Sequence, residues 1–465
     1  MIRFSLRRSG SFINIMMLAR PNVDWSNIIK RFIIGWILPN YSMKKILRGV
    51  VLAILKRLVR RRLKKFKGKV IAVTGSVGKS STKEAIFAVL NTKYRVKRSK
   101  KSMNSDFGLL LTILDIESGF SSVVKWSILL VQGFWNSFFK MHEDFLVLEL
   151  GVDAPGDMDF LLSFVKPEIA VFTNVAPVHL AEGQFKDLDA VFEEKKKIFK
   201  YVDALGGKAV FNLDDPLLEG LTKEIPRGQR LTFGANEKAD YRIHDVKLDD
   251  SGTAFSVDTK KFDDRSFFVE ALGEHQAYVA VVALICADLV GMSAEEVAYG
   301  LTKYKLPPGR MNLIEGKNEV LIIDSSYNSS PLALFEALKV LRSVAKDRAK
   351  VAVLGNMNEL GDDSKLFHEQ IGEVVASYTD KLITVGGQAK YIAEKAVESG
   401  MPADAVVALR DVKEAIEFFE TNGEKDCVML VKGSQNQVRL EKLIKTLMAR
   451  PEEAKDVLVR QGRGW

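Results

Sequence analysis

The sequence predicts an α/β protein with a phosphate-binding loop near the start of a mostly parallel sheet. From residue 70 onward, apolar runs of strand length alternate with stretches of helical spacing, as parallel sheets with crossover helices require. Within this pattern, residues 70–83 run from a β-branched strand through a glycine turn into a helix. Hydrophobic residues form 47% of the 465-residue chain, which is enough for about two to four packed domains.

The turn in residues 74–83 has the composition of a phosphate-binding loop. Its glycines allow backbone N–H groups to close on phosphate oxygens, and the next helix presents its positive end. Lys79 supplies a positive charge, and Ser80 supplies a hydroxyl that can bind Mg²⁺. The pattern is the short T-G-x-x-G-K-[ST]-[ST], since Val73 stands where the strict pattern has its first glycine. An ordinary glycine turn would not need strand, lysine, hydroxyls and helix in this order.

The other predicted elements follow the same alternation. Before residue 305 the predicted strands are 69–74, 145–150, 169–175 and 207–212, with short antiparallel strands in 230–270 and helices in 274–304. Pro-Pro-Gly in 306–310 breaks both helix and strand and marks a domain boundary. Beyond it, a second α/β domain is predicted from strands at 319–325, 350–355, 381–386 and 427–431. The predicted regions are an N-terminal segment 1–69, a central domain 70–308 and a C-terminal domain 309–465.

Residues 1–70 are strongly basic. They hold 18 Lys and Arg against one acid, so they carry +17 and the rest of the chain −8. Their apolar runs, 32–38 and 50–55, are shorter than the ~20 residues of a membrane-spanning helix, and no clean secretory signal is present. The composition predicts a basic amphipathic segment lying on an anionic membrane surface. A solvated tail or a helix packed on the body is the alternative, and nucleic-acid binding is disfavoured because no aromatic-interleaved basic motif occurs.

An apolar stretch lies between the first two predicted strands, at residues 123–139. It contains two Trp and three Phe. A core helix is the default for such a stretch, but near a basic segment it also suits an interfacial surface.

The two cysteines indicate the redox compartment of the protein. Cys286 and Cys427 lie far apart in apolar runs, which favours buried thiols over a disulfide or a zinc site. The sequence therefore predicts a reducing environment and a cytoplasmic protein.

Three polar residues downstream of the loop have the types that a two-metal phosphoryl-transfer site requires. Glu149 ends an apolar strand at the carboxyl edge, where parallel α/β sheets bind ligands. His179 follows the strand at 169–175 after a proline turn, and Lys195 lies in a charged helical stretch. Each residue taken singly fits a structural or solvated position, so their assignment depends on the order in which they occur.

Nine motifs occur in a fixed order: T-G-S-V-G-K-S-S-T-K-E (74–84), L-E-L-G (148–151), T-N-V-A-P-V-H-L (173–180), N-L-D-D-P (212–216), P-G-R (308–310), I-D-S-S-Y-N-S-S-P (323–331), L-G-N-M-N-E-L-G (354–361), His368 and V-K-G-S (431–434). This series resembles the Mur ligase family, the ATP-dependent enzymes that extend the peptide of peptidoglycan precursors. The likeness covers about 70–460, and segment 356–361 points to the branch that adds D-alanyl-D-alanine.

The resemblance implies ATP and two Mg²⁺ ions as cofactors. Lys79, Glu149, His179 and Lys195 would be catalytic, and the metal ligands would be Ser80, Glu149, His179 and Lys195. Lys195 matches the lysine that the family carbamylates with CO₂, a change that turns a cation into an anion able to order the second metal. ATP would be bound by Thr74, Gly75, Ser76, Val77, Gly78, Lys79, Ser80, Ser81, His275, Gln276, Arg310 and Asp324.

The resemblance also implies the substrate side of the reaction. A substrate carboxylate would attack the γ-phosphate to give an acyl phosphate, and the D-alanyl-D-alanine amine would then displace phosphate through a tetrahedral intermediate. The substrate residues would be Asn104, Asn174, Tyr327, Asn328, Lys432 and Ser434. This chain departs from the family pattern at Gln276, Val279, Ser325, Ser330, Asn356 and Gln435. Residues 1–69 show no counterpart of the family's UDP-binding domain.

The predicted architecture is thus a P-loop central domain of Mur ligase type, a Rossmann-like C-terminal ligase domain and a basic amphipathic N-terminal segment. The predicted activity is ATP-dependent addition of D-alanyl-D-alanine to UDP-MurNAc-tripeptide, in the cytoplasm and at the inner face of the membrane. One alternative keeps this chemistry and changes the substrate: a ligase or amidating enzyme that acts on a lipid-linked cell-wall precursor. The other is a non-catalytic, membrane-associated scaffold on a ligase fold, against which the retained catalytic residue types argue.

Overall fold

The computed structural model describes residues 2–8, 11–17, 41–99, 106–117, 123–259, 264–435 and 438–461. These residues belong to two compact units, which divide between Arg57 and Leu58. The predicted substrate residue Asn104 and the apolar run 32–38 lie outside the described residues.

The first unit contains an antiparallel hairpin that the sequence reasoning did not predict. Strand β1, Ile2–Arg8, pairs with β2, Ser11–Met17, and the alternation of apolar and polar residues in β1 is the signal that could have indicated it. Helix α1, Tyr41–Leu63, contains the predicted apolar run 50–55 and the basic run that follows it. Within the described part of the chain, no helix combines the length and the hydropathy needed to cross a membrane.

The second unit contains two sheets with helices on their faces. Its strands are β3 Lys69–Thr74, β4 Val96–Arg98, β5 Phe145–Glu149, β6 Ile169–Phe172, β7 Lys208–Asn212, β8 Arg230–Gly234, β9 Tyr241–Leu248, β10 Thr253–Thr259, β11 Arg265–Val269, β12 Asn312–Glu315, β13 Leu321–Ser325, β14 Ala349–Gly355, β15 Lys381–Val385, β16 Val406–Leu409 and β17 Cys427–Lys432. Its helices after α1 are α2 Lys79–Leu90, α3 Asp106–Leu114, α4 Val123–Asn136, α5 Asp157–Leu162, α6 Leu188–Lys196, α7 Pro216–Glu219, α8 His275–Asp288, α9 Ala294–Leu301, α10 Pro331–Ala345, α11 Ser364–Val375, α12 Lys390–Glu398, α13 Val412–Asn422, α14 Glu441–Leu447 and α15 Ala454–Val457.

The first sheet has nine strands in the order β11-β10-β9-β8-β7-β6-β3-β5-β4. Strand β3 lies between β5 and β6 and is parallel to both, so the carboxyl ends of all three meet at one edge. Their apolar runs are buried on both faces, as parallel strands require. This edge is where the predicted loop and Glu149 come together.

The prediction that residues 230–270 are antiparallel throughout was wrong for the first strand. Strand β8 is parallel to β7, and only β9, β10 and β11 pair in antiparallel fashion. The reason is the helical connection between β7 and β8, which returns the chain to the same end of the sheet before β8 begins.

One face of the nine-stranded sheet packs on α2, α8 and α9 in a continuous apolar cluster. Helix α9 approaches α2 very closely at Gly300, where an added Cβ would lie 2.6 Å from the Cα of Val89. On the other face, Phe172 of β6 stacks on Phe192 of α6 with ring centroids 6.3 Å apart. The helix that follows the phosphate loop is therefore fixed by packing along its length.

The second sheet has six strands in the order β12-β13-β17-β14-β15-β16. All neighbours are parallel except β12, which is antiparallel to β13. Helices α10, α11 and α12 cover one face, and α13, α14 and α15 cover the other. The first sheet ends before residues 306–310 in the chain and the second begins after them.

Candidate active site

The phosphate loop is braced by the residues that follow β6. Gly75 has φ 144° and lies so close to Thr173 that an added Cβ would be 2.0 Å from its Oγ1. Asn174 accepts a hydrogen bond from the amide of Val77 at 2.9 Å and donates to the Val77 carbonyl at 3.1 Å. Ser76 donates its amide to the Asn174 carbonyl at 2.9 Å. Asn174, predicted as a substrate residue, therefore braces the loop.

Helix α2 starts at the end of this loop with its first amides available to a ligand. Gly78 precedes it with φ 85°. Because glycine has no side chain, the start of the helix has no side-chain cap. Such an N-terminus attracts anions through its amides and its dipole. Lys79 turns back to donate to the carbonyls of Gly75 at 2.7 Å and Ser76 at 3.0 Å, and burial lowers the pKa of its amine.

A buried polar chain links the loop to β5. Ser80 donates to Glu149 Oε2 at 2.8 Å, and both side chains are buried. Lys83 Nζ lies 3.9 Å from the same carboxylate oxygen and 3.2 Å from Glu84, and it donates to the Ser99 carbonyl at 2.8 Å. Glu149 is thus oriented by a hydroxyl on one side and a buried ammonium nearby.

The predicted carbamylation residue, Lys195, is fully buried on α6. Its Nζ has no hydrogen-bond partner among the described residues. Burial, together with the positive charge of Lys79, lowers the pKa of Lys195 to about 7, while Asp153 and Glu194 oppose that shift. A large share of this amine is therefore neutral near pH 7, which is the form that can react as a nucleophile.

His179 lies where the two sheet-bearing halves of the unit meet. Its Nδ1 is 2.8 Å from Oε2 of Glu359, and its Nε2 is 3.6 Å from Oδ1 of Asp153. The contact with His179 lowers the pKa of the Glu359 carboxyl. The next residue, Leu180, donates its amide to the Glu359 carbonyl at 2.9 Å. His179 is therefore positioned by an acid from each half.

Arg310 brings the C-terminal half to the phosphate loop. Its guanidinium donates to Ser80 Oγ at 3.0 Å and lies 4.4 Å from the ring centroid of Tyr327. The Ser80 hydroxyl therefore joins Arg310 and Glu149 in one chain of contacts.

Several predicted substrate residues gather near Lys432 at the end of β17, and we call Asp324, Ser325, Asn328, Lys432 and Ser434 the acceptor side. The Lys432 Nζ donates to Ser325 Oγ at 3.1 Å and to the Asn328 carbonyl at 3.0 Å. Burial and the nearby Arg310 lower the pKa of Lys432 to about 7. Burial raises the pKa of Asp324 to about 6; one of its carboxylate oxygens accepts from the Ser326 amide, and the other has no partner among the described residues.

Ser434 ties together the loops of the second sheet. It donates to the Ser329 carbonyl at 3.0 Å and accepts from the Asn358 amide at 2.9 Å. His368 supports the same loop, because its Nε2 accepts from the Met357 amide at 3.0 Å. The structure thus gives both Ser434 and His368 a bracing role around the acceptor side.

His275 and Gln276, predicted to bind ATP, form a second polar group at the start of α8, where His275 is half-buried and Gln276 is buried. His275 and Gln276 have ring and amide nitrogens 2.9 Å apart, and burial lowers the pKa of His275 to about 4, so its ring is neutral. Tyr304 donates its hydroxyl to Gln276 Oε1 at 3.1 Å, which fixes the orientation of the amide.

These residues fit a divalent cation at the loop. Ser80 and Glu149 present adjacent hydroxyl and carboxylate oxygens, the donors that Mg²⁺ prefers. Lys195 fits such a site only as a carbamate, because an ammonium repels the ion and a neutral amine lacks the oxygen donors that Mg²⁺ prefers.

Sequence reasoning missed three residues of this site, Lys83, Asp153 and Glu359. Lys83 and Glu359 lie inside quoted motifs without an assigned role, and Asp153 follows Glu149 by four positions. Their roles depend on contacts between separate elements, which no local pattern shows.

Comparison with known proteins places the chain in a family. The Mur ligase middle domain matches residues 73–287, and the Mur ligase, glutamate ligase domain matches residues 309–435. The UDP-N-acetylmuramoyl-tripeptide--D-alanyl-D-alanine ligase of Bacillus subtilis (strain 168) is 30% identical over 401 residues, covering 86% of this chain and 80% of that protein.

Solved structures agree with this assignment. MurF from Acinetobacter baumannii superposes with a TM-score of 0.70 and 26% identity, covering 85% of this chain and 80% of that one. MurF ligase from Thermotoga maritima in complex with ADP gives a TM-score of 0.69 and 28% identity, covering 87% and 84%. With the two domain matches and the Bacillus relative, these likenesses show that the chain belongs to the Mur ligase family.

Proposed function

We propose that this chain is an ATP-dependent ligase that adds D-alanyl-D-alanine to UDP-MurNAc-tripeptide in peptidoglycan synthesis. The observation that carries the proposal is the chain of contacts from Arg310 through Ser80 to Glu149. It places a phosphate loop, a carboxylate and a cation from the other half at one point, which is the equipment of phosphoryl transfer. The relatives named for this activity match the chain over most of its length.

The proposed reaction uses the loop to hold ATP. The amides of the loop and of the first turn of α2 bind the phosphates, with Lys79 and Arg310 adding positive charge. Ser80 and Glu149 would hold Mg²⁺, which would offset the negative charge of the phosphates. The substrate carboxylate attacks the γ-phosphorus, its oxygen forms the new P–O bond, and ADP leaves. The product is an acyl phosphate held by the same residues.

The second step uses the acceptor side. The dipeptide amine attacks the acyl carbon, loses a proton and forms the amide bond as inorganic phosphate leaves. Tyr327, Asn328 and Lys432 are proposed to orient this amine, with Ser434 bracing their loops. The protein contributes mainly positioning and charge stabilisation.

We further propose that Lys195 carries a carbamate. Its buried, unpartnered amine with a pKa of about 7 is suited to attack CO₂, which forms an N–C bond and releases a proton. The resulting anion could hold a second Mg²⁺ together with His179. A ¹³CO₂-labelled protein should show a carbamate carbon resonance that is absent from Lys195→Ala. Short-chain carboxylates should partly restore ligation to that variant, and full activity of the unrescued variant would refute the assignment.

The proposed domains are a basic segment at 1–69, an ATP-binding domain at 70–308 and a ligase domain at 309–465. For the basic segment we propose a peripheral position at the inner face of the membrane, where its excess of Lys and Arg would meet anionic lipid.

The test of function is ADP release from the full chain with each muramyl-peptide substrate and each amine. The expected result is turnover only when UDP-MurNAc-tripeptide and D-alanyl-D-alanine are both present. Preference for a lipid-linked muramyl peptide over the nucleotide would move the substrate to the lipid-linked class. The absence of any amine-dependent ADP release would favour a scaffold.

A further inference from the structure

Helix α4 and the turn after it expose large apolar side chains on one side of the second unit. We call these six residues the α4 patch, and each is between 38% and 63% exposed: Ile128, Val131, Phe134, Trp135, Phe138 and Phe139. Other large apolar side chains that are exposed in the described residues occur in the sequence singly or, for Val50 and Ile54, as a pair. Scattered apolar residues are normal on a protein surface, but a contiguous group marks a binding surface.

The α4 patch is not the face by which the helix packs on its own domain. The packing face is marked by Gly133, where an added Cβ would lie 3.3 Å from Ile116 Cδ1 and 3.8 Å from Leu58 Cδ1. Ser137, one turn later, is also buried. A helix that is apolar on both faces is expected to be covered on both. The patch therefore calls for an outside partner.

The aromatic residues of the patch are already packed against one another. Phe134 has ring centroids 6.1 Å from Trp135 and 5.0 Å from Phe138, and Trp135 is 6.4 Å from Phe138. A pre-ordered aromatic surface loses little side-chain entropy when it is covered. Trp and Phe with one exposed side are typical of the membrane interface.

Positive charge borders the patch. The Arg61 guanidinium lies 3.6 Å from the Phe138 ring centroid, and Lys65 donates to the Phe138 carbonyl at 2.8 Å. Residues 57–69 and 123–142 contain no acid. The acid Asp115 is already neutralised by Arg62 and Lys97, whose ammonium is in direct contact with it. The surface therefore combines a large apolar area with an edge that carries an excess of positive charge.

We propose that the α4 patch docks on an anionic lipid bilayer, with its aromatic residues at the headgroup boundary and Arg61 and Lys65 against lipid phosphates. Charge decides between this partner and a second copy of the chain. Two copies meeting through the patch would bring like charges together, whereas anionic lipid supplies the opposite charge. The proposal does not depend on the ligase reaction or on residues 1–47.

The test is co-sedimentation of the full chain with vesicles of phosphatidylcholine alone or with about 30% phosphatidylglycerol. The patch variant is Trp135→Ser with Phe139→Ser, and the edge variant is Arg61→Gln with Lys65→Gln. The matched control is Phe268→Ser with Leu366→Ser, two apolar residues of similar exposure outside the patch.

The patch variant should lose at least about tenfold in vesicle partitioning. The edge variant should lose about fivefold per charge with anionic vesicles at low salt, and much less at high salt. The control should partition like the wild type. Brominated lipid should quench the tryptophan fluorescence of the wild-type chain more than that of the Trp135→Phe variant. Such a difference would locate Trp135 at the interface.

Full vesicle binding by the patch variant would overturn the proposal, as would equal binding of the wild type to neutral and anionic vesicles. A change in sedimentation coefficient on patch substitution, without a change in lipid binding, would assign the surface to a second copy. Far-UV circular dichroism and ADP release in lipid-free solution show whether each variant is folded. Because lipid binding is measured without substrates, its failure is separate from failure of the ligase assignment.

Discussion

The phosphate side and the acceptor side of the site neutralise their buried charges differently. On the phosphate side, Lys83 lies near two carboxylates, Glu149 and Glu84. On the acceptor side, Lys432 is equally buried but donates only to neutral oxygens, the Ser325 hydroxyl and the Asn328 carbonyl. A buried ammonium without a partnering anion costs free energy, which appears as a lowered pKa.

Because of this difference, the two sides should differ in how much activity a substitution costs and in how they respond to pH. Around Lys83 on the phosphate side, the buried ammonium has an opposite charge on either side, Glu84 at 3.2 Å and Glu149 at 3.9 Å. On the acceptor side, the pKa of Lys432 is about 7 and that of Asp324 about 6, so both groups change charge near neutrality. We therefore expect substitutions on the phosphate side to cost the most activity, and those on the acceptor side to change how the protein responds to pH.

The largest effect should come from Glu149→Gln on the phosphate side. This change keeps the shape of the side chain and removes the charge that would hold Mg²⁺. We expect kcat for ADP release to fall by about a thousandfold, because a metal ligand acts chiefly on the charge of the transition state. The measurement is steady-state turnover, with ATP binding followed by calorimetry.

Glu84→Gln is the matched control for this prediction. Glu84 also contacts Lys83, at 3.2 Å, and pairs with Arg98, whereas the Ser80 hydroxyl donates to Glu149. Its loss should leave turnover within a few-fold of the wild type. Equal losses in the two variants would show that the charge balance around Lys83 matters more than metal binding, and would break the comparison.

The next effect concerns the stability of the folded chain and arises at Lys432 on the acceptor side. The pKa of Lys432 is lowered from its usual 10.5 to about 7 in the folded chain. As the pH falls through this window, the unfolded chain binds a proton that the folded chain does not, so the folded state loses stability until the pH is below the folded value. Lys432→Met escapes this loss.

As the pH falls from about 10 to about 7, the unfolding free energy of Lys432→Met should therefore rise relative to that of the wild type, by on the order of a few kcal/mol. Urea unfolding at several pH values measures the gain. Ser325→Ala, which keeps the ammonium but removes one hydrogen-bond acceptor, should differ from the wild type by an almost constant amount. If the difference in unfolding free energy between Lys432→Met and the wild type did not change with pH, the folded chain would not disfavour the charged form of the Lys432 amine.

Much of the fold could be predicted because its central strands are buried apolar runs. The predicted strand at 69–74 coincides with β3, and that at 145–150 is one residue longer than β5. Strand β16, Val406–Leu409, was missed because it lies at a sheet edge and has no flanking pattern to mark it. Strand β8 was assigned the wrong direction because direction depends on the connection before it, which short apolar runs do not reveal.

The site divides in the same way. The loop residues were predictable because strand, glycine, lysine and helix are adjacent in sequence. Lys83 was not, since a fully buried lysine and a solvated one look alike in sequence, and its partners Ser99 and Glu149 come from other parts of the chain. The unpartnered state of Lys195 is likewise a property of the fold, although its position was indicated by family resemblance.

A smaller effect is expected at Arg310, which contacts both sides. Arg310→Lys keeps the charge but loses the planar guanidinium that donates to Ser80 and lies over Tyr327. We expect kcat/KM for ATP to fall by about tenfold, since lysine does not reproduce this geometry. Tyr327→Phe keeps the ring and should leave that ratio unchanged. A loss confined to the amine KM would place Arg310 on the acceptor side alone and sharpen the boundary between the two.

The smallest effect should come from Tyr304→Phe, on the phosphate side but away from its charges. The Tyr304 hydroxyl donates to Gln276 Oε1 at 3.1 Å, and the Gln276 amide nitrogen lies 2.9 Å from the neutral His275 ring. Losing one neutral hydrogen bond costs about 1 kcal/mol, so KM for ATP should rise by about fivefold at constant kcat. The control is Tyr299→Phe, an exposed tyrosine on α9 that should change nothing. A fall in kcat would mean that the Gln276 amide positions the phosphates of ATP as well as its adenine. Neutral hydrogen bonds on this side would then affect turnover too.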